Sequence, residues 1–131
     1  MSAAPFAELP LFVYGTLRRG AGTPLARRLA SQGHYLGQGL CRGLLYRVDH
    51  YPGWVPGDGW VTGDLYLVPP TLRAALDAYE ECGPGFAEPW EYRPQGVLAW
   101  LRGRPLAACL YRYQRPVEAT MLIASGDFFQ P

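Results

Sequence analysis

The chain contains no lysine and no asparagine. The first absence rules out a Schiff-base lysine and a P-loop lysine. The second removes glycosylation sequons and asparagine oxyanion donors. Serine occurs only as Ser2, Ser31 and Ser125, and none of these sits in a Gly-x-Ser-x-Gly elbow. His34 and His50 are the sole histidines, neither in a metal-ligand spacing, so no metal centre is expected. Cys41, Cys82 and Cys109 are odd in number and widely spaced. That pattern suits neither a disulfide framework nor a structural zinc site, and it fits a reducing cytoplasm. No apolar run approaches the roughly 18 residues of a membrane span, so a membrane is not an expected partner. The first residues carry no basic segment followed by an apolar one, which argues against secretion.

Charge is sparse as well, at 18% of residues, and twelve arginines against eleven acids leave a formal net charge of +1. The arginines are scattered and form no basic stripe, so nucleic acid is not an expected partner either. What is present is apolar: 49% of 131 residues, the composition of a folded globule. Such a length suits one domain burying roughly two-thirds of its chain surface. We take residues 1–10 as a loose leader and 11–131 as a single domain.

Leu11-Phe12-Val13-Tyr14 is a short apolar run of strand-favouring residues. It stops at Gly15, which has no Cβ to hold a ligand off the backbone and can take positive φ. A strand ending in Gly15-Thr16-Leu17 exposes several N–H groups at one spot, a nest that favours anionic groups. The same residues would also make an ordinary glycine turn. Thr23 and Pro24 cap and open a short helix closed near Gly33. His34 to Val48 reads as strand interrupted by Gly37, Gly39 and Gly43, where bulges or close approach are expected. Asp49 to Gly59 reads as a Pro- and Gly-rich loop whose Tyr51 and Trp54, with Trp60 beyond, either wall a pocket or cap the core. Trp60 to Val68 alternates as a strand, with Asp64 a solvent-facing residue or a pocket acid.

A second helix is expected over Leu72 to Glu81, capped by Thr71. Leu72, Ala75, Leu76 and Tyr79 form its apolar face, with Arg73 and Asp77 paired on the wet side. Val97 to Leu101 and Leu106 to Tyr113 read as a hairpin joined at Arg102-Gly103-Arg104-Pro105. Glu80 breaks a local rule. It follows Leu76 by one helical turn, beside the apolar stripe and in the last turn, where the dipole disfavours a carboxylate. Glu81 adds like charge. All three influences push a carboxyl pKa upward, which suits a group that takes and returns a proton near neutral pH. A boundary glutamate of an amphipathic helix would look the same.

Tyr14-Gly15-Thr16-Leu17 and Leu76-Asp77-Ala78-Tyr79-Glu80 together resemble the γ-glutamylcyclotransferase-like family. The Tyr51-Pro52-Gly53-Trp54 loop, Val61-Thr62-Gly63-Asp64-Leu65-Tyr66, Tyr92-Arg93 and Ile123-Ala124-Ser125-Gly126-Asp127-Phe128 resemble its further motifs, in order, over residues 11–128. The resemblance implies an α+β fold, a small mixed β-barrel with flanking helices. It implies that the backbone of Tyr14, Gly15, Thr16 and Leu17 holds a γ-glutamyl group and that Glu80 is the catalytic acid and base. Tyr92, Arg93 and Tyr111 (or Tyr113) would contribute to the substrate cavity. The implied reaction closes 5-oxoproline and releases an amine, with a small γ-glutamyl compound as partner and no cofactor. Glu81 stands where the family commonly has glycine, and the stretch Glu81 to Glu91 is longer than usual. Two other readings stay open: a binding module of the same fold without turnover, and an interaction protein using Tyr51, Trp54, Trp60, Trp90 and Trp100.

Overall fold

Alternation along one short strand divides the interior into two cores. In the computed structural model, which describes residues 8–131, strand β1 spans Leu11–Val13. Leu11 and Val13 point to one side with Leu29, Leu72 and Leu76 of the helices, and Phe12 faces the other with Cys41, Leu45, Val61, Leu65 and Leu110. Successive Cβ atoms of a strand point to opposite faces, so a three-residue apolar run serves both layers at once. The leader expected at residues 1–10 falls mostly outside the described residues. Leu9 and Pro10 are tied down, their carbonyls accepting from Arg73 Nη2 at 2.7 Å and Cys109 N–H at 2.8 Å.

The remaining elements are helix α1 (Pro24–Gln32), β2 (His34–Arg47), β3 (Pro52–Leu67), α2 (Pro70–Tyr79), β4 (Tyr92–Leu101), β5 (Arg104–Tyr113) and a 3-10 turn at Ala119–Met121. The strands close a barrel in the order β1-β3-β2-β4-β5. Closure is made by a parallel pairing of β1 with β5 at Leu11 and Cys109, while β1–β3, β2–β3, β2–β4 and β4–β5 are antiparallel. The fold is therefore α+β, with a mixed barrel and two flanking helices.

Several local expectations hold, although the β4–β5 turn is two residues and not four, with Arg104 and Pro105 already in β5. Thr23 caps α1, its hydroxyl accepting from Ala26 N–H at 3.1 Å, and Pro24 opens the helix. The β4–β5 hairpin turns at Arg102 and Gly103, with φ of 52° and 77°, the pair of positive values that a tight hairpin matched to strand twist requires. Strand β2 has register shifts at Tyr35/Gly37 and Arg42/Leu44.

Two expectations fail. The loop expected over Asp49 to Gly59 is strand from Pro52 onward, with Arg47 opposite Pro52 and Leu45 opposite Trp54. The connection shrinks to a turn closed by Val48 N–H on Tyr51 O at 3.0 Å. Pro52 is tolerated as the first residue of a strand. Gly53 makes room for a ring, since a Cβ there would lie 2.6 Å from Tyr113. Helix α2 begins at Pro70, before the expected Thr71 cap, and ends at Tyr79 with Glu80 as its C-cap. Its buried face is Leu72, Arg73 and Leu76, and Tyr79 is 53% exposed. Arg73 is thus buried and not on the wet side, while the expected Asp77 partner accepts from Tyr111 Oη at 2.6 Å. Arg73 takes a place on the buried face and donates to the Leu9 carbonyl.

Candidate active site

The chain leaves β1 through Tyr14 into a turn closed by Arg18 N–H on Gly15 O at 3.0 Å. Gly15 is buried, and its φ is not in the left-handed region. Glycine is required there by close approach, because a Cβ would stand 2.6 Å from Cγ and Cδ of Pro52. Among the described residues, no acceptor takes the amides of Gly15, Thr16 and Leu17. The three residues line the cavity described below.

The turn is locked from behind. Arg18, 3% exposed, donates from Nε to Asp64 Oδ2 at 3.1 Å and from Nη1 to Asp127 Oδ1 at 2.8 Å, and its guanidinium lies 4.3 Å from the Phe129 ring centroid. Arg19 N–H reaches the same Asp64 oxygen at 3.0 Å, and Tyr35 Oη donates to Asp64 Oδ1 at 3.1 Å. Asp64 is therefore neither a solvent-facing strand residue nor a cavity acid. It is a buried clamp on the loop, and three donors satisfy it.

In front of the loop lies a cavity of about 270 Å³ between β1, the start of β3 and the end of α2. Tyr14, Gly15, Thr16, Leu17, Glu80, Tyr92 and Tyr111 all line it. Tyr14 Oη donates to Tyr111 O at 2.6 Å, Tyr92 Oη to Pro52 O at 2.8 Å, and Tyr111 Oη to Asp77 Oδ1 at 2.6 Å. Burial drives all three phenol pKa values upward, so they stay neutral and rigid. Tyr113 does not line the cavity and stacks edge-on against Tyr92. Arg93 is outside as well: it is exposed, paired with Glu88, with its guanidinium 4.7 Å from the Trp90 ring centroid. Its neighbour Tyr92 takes the inward face of β4, and alternation sends Arg93 outward.

Glu80 is half-buried, with its N–H donating to Leu76 O at 2.9 Å. Its pKa is pushed up to about 8, first by burial and then by the charges of Glu91 and Asp77. The direction matches the expectation, but the like charge does not come from Glu81. Glu81 is exposed and adopts φ of 54°, the left-handed conformation that glycine takes without strain. Glu91, which follows the loop after α2, lines the cavity and accepts from Tyr51 Oη at 2.8 Å. Sequence reasoning missed Glu91, because nothing local marks a glutamate in an irregular segment. Tyr51, His50 and Pro52 also line the cavity. Of the aromatic stretch, Tyr51 walls the pocket whereas Trp54 is core, 3% exposed with Nε1 donating to Arg42 O. Trp60 remains 41% exposed, edge-on to Trp100.

Comparisons with known proteins establish the family and the fold. The γ-glutamyl cyclotransferase, AIG2-like family matches residues 11–130. The γ-glutamylcyclotransferase family protein YtfP of Escherichia coli (strain K12) is 36% identical over 119 residues, covering 90% of this chain and 94% of its own. The solution structure of YtfP from Escherichia coli superposes with a TM-score of 0.65 at 35% identity, covering 92% and 96% of the two chains. An AIG2-like protein from Mus musculus has a TM-score of 0.67 at 22% identity, over 91% and 86% of the chains, a likeness of fold alone. The chain belongs to the γ-glutamylcyclotransferase family, AIG2-like branch. No helix among the described residues is long and apolar enough to cross a membrane.

Proposed function

We propose that this chain is a cofactor-free γ-glutamylcyclotransferase that closes the γ-glutamyl group of a γ-glutamyl amine or amino acid to 5-oxoproline. The observation that carries the reading is the Glu80 carboxyl, held half-dry with its pKa near 8 in the cavity that the Gly15–Leu17 amides share. The α-carboxylate of the substrate binds main-chain N–H groups of the loop, which curls the glutamyl chain against the tyrosine floor. Ionised Glu80 takes a proton from the α-ammonium. The freed amine attacks the γ-carbonyl carbon, forming the ring C–N bond and a tetrahedral oxyanion. As the bond to the leaving nitrogen breaks, protonated Glu80 gives its proton there; the regenerated carboxylate then takes the second proton from the ring nitrogen and passes it to the freed amine, and 5-oxoproline and the ammonium depart. Both reacting groups belong to one molecule, so holding the curled conformer supplies up to about 7–11 kcal/mol in favourable intramolecular systems. Proton transfer contributes a further factor of about 10²–10⁴.

The test is Glu80→Gln, nearly isosteric and unable to carry a proton. Incubation with a panel of γ-glutamyl amides, read for 5-oxoproline by mass spectrometry, should show turnover in the wild type and none in the variant, while ligand binding persists. In the wild type, kcat/KM should rise with pH to a plateau above about 8, as Glu80 ionises. Wild-type turnover in the variant refutes the role of Glu80, and binding without product by the wild type makes the chain a binding module.

A further inference from the structure

The mouth of the cavity carries charge that faces the leaving group as well as Glu80. Its floor is buried, formed by Val13, Tyr14, Leu17, Tyr92 and Tyr111, and its rim is made by half-exposed or exposed groups, His50, Tyr51, Glu81 and Glu91. A γ-glutamyl head that reaches both the loop amides and Glu80 must lie on the floor, so the departing amine projects to the rim. There Glu91 is not free to swing away, because Tyr51 Oη holds it at 2.8 Å. The nearest cation, Arg115, stands 3.9 Å from the Glu91 carboxylate with 59% of its side chain exposed, where water screens it. Asp49 lies beside His50, with Oδ2 3.6 Å from Nδ1. Two carboxylates, Glu81 and Glu91, thus line the exit, and the charges next to them are a screened arginine and a histidine that itself has Asp49 beside it. Among the described residues lining the cavity, none is an arginine, and the chain has no lysine.

Resting on the cyclotransferase reading above, the geometry points to Glu91 as the residue that selects the leaving amine by charge. It favours γ-glutamyl amides whose departing amine carries a second, cationic group and disfavours those whose departing group ends in a carboxylate. Ring closure itself is indifferent to that remote charge, which stays on the leaving group throughout. The discrimination therefore acts through binding at the rim and not through Glu80.

Three amides of equal chain length isolate the effect: γ-glutamyl-1,4-diaminobutane, γ-glutamyl-butylamine and γ-glutamyl-4-aminobutyrate, whose far ends are positive, neutral and negative. Binding is measured by calorimetry and 5-oxoproline release by mass spectrometry, on the full chain at low and high salt. The cationic amide should bind about tenfold tighter than the anionic one at low salt. Glu91→Gln, which keeps an acceptor for Tyr51, should bring the three within about threefold, and high salt should do the same to the wild type. Arg115→Ala should widen the gap, which keeps the proposal testable if the Glu91 variant folds poorly. Equal binding of the three amides, or a charge order that survives Glu91→Gln, overturns the selection whatever the turnover. A Glu91-dependent charge order without any 5-oxoproline supports the selection and overturns the cyclotransferase reading. No binding of any amide overturns both.

Discussion

Replacing Glu80 by glutamine should stabilise the folded protein, and the gain should grow with pH. The folded state raises this carboxyl from 4.5 to about 8 through burial, Glu91 and Asp77. Taken in full, that displacement disfavours the charged form by about 5 kcal/mol. The cavity mouth opens to water, so screening reduces the figure to roughly 2–3 kcal/mol. Between pH 4.5 and about 8 the folded chain binds the proton that the unfolded chain has released. Stability is therefore fully present below the lower value and is lost as pH rises through the upper one. Glutamine cannot ionise, so the variant escapes this loss. For a domain of this size the difference corresponds to roughly 6–12 °C in Tm. Thermal unfolding of both proteins, followed by circular dichroism from about pH 4 to about pH 9, reads the effect directly. Every other titrating group is common to both chains, so the difference between the two curves isolates Glu80. A difference in Tm that is flat across this range refutes the reasoning, because it would mean that the carboxyl ionises as freely folded as unfolded.

Gly15→Ala should lower the urea midpoint by an amount equivalent to about 1–3 kcal/mol and weaken ligand binding. Its new Cβ would stand 2.6 Å from the Pro52 ring, which cannot yield as a flexible side-chain tip would. Asp64→Asn should cost about 3–5 kcal/mol in a denaturant titration, since it leaves the buried Arg18 guanidinium short of a partner. Arg93→Ala is the contrast: an exposed pair outside the cavity, it should change stability by less than about 1 kcal/mol and leave turnover unaltered.

Elements governed by local chemistry were legible in the chain, and those governed by distant partners were not. The Thr23-Pro24 start of α1 and the Arg102-Gly103 hairpin depend only on a cap and on two backbone conformations, both written in adjacent residues. The strand over Pro52 to Trp60 depends on β2 lying alongside, and its glycines, which locally suggest a loop, answer to rings such as Tyr113 that arrive from β5. Periodicity placed Arg73 in water because it knows nothing of the Leu9 carbonyl. Closure of the barrel rests on Leu11 meeting Cys109, a pairing that no window of sequence contains; the resemblance implied a barrel and not this pairing. In the cavity, Glu80 stood out by breaking a local rule, and Gly15 by ending a strand with no Cβ. Glu91 breaks none, and its importance lies wholly in where the loop after α2 returns it.

On the proposed reading, the placement of arginine meets two opposed demands on the cavity. A loop that must present main-chain amides to an anion needs to be rigid, and a buried ion pair is an effective brace when every lone pair is satisfied. A carboxyl that must hold a proton near neutral pH needs the opposite, because a cation within a few ångströms would stabilise its charged form and return its pKa to the ordinary range. Arg18 serves the first demand from behind the loop, bound to Asp64 and Asp127, and does not line the cavity. Only burial and two carboxylates figure among the influences on Glu80, and no cation does. Moving that guanidinium to the front would brace nothing and would quench the base. On the proposed reading, the substrate's own carboxylate is consequently left to the amides of Gly15, Thr16 and Leu17, which bind charge without bringing a full charge to Glu80.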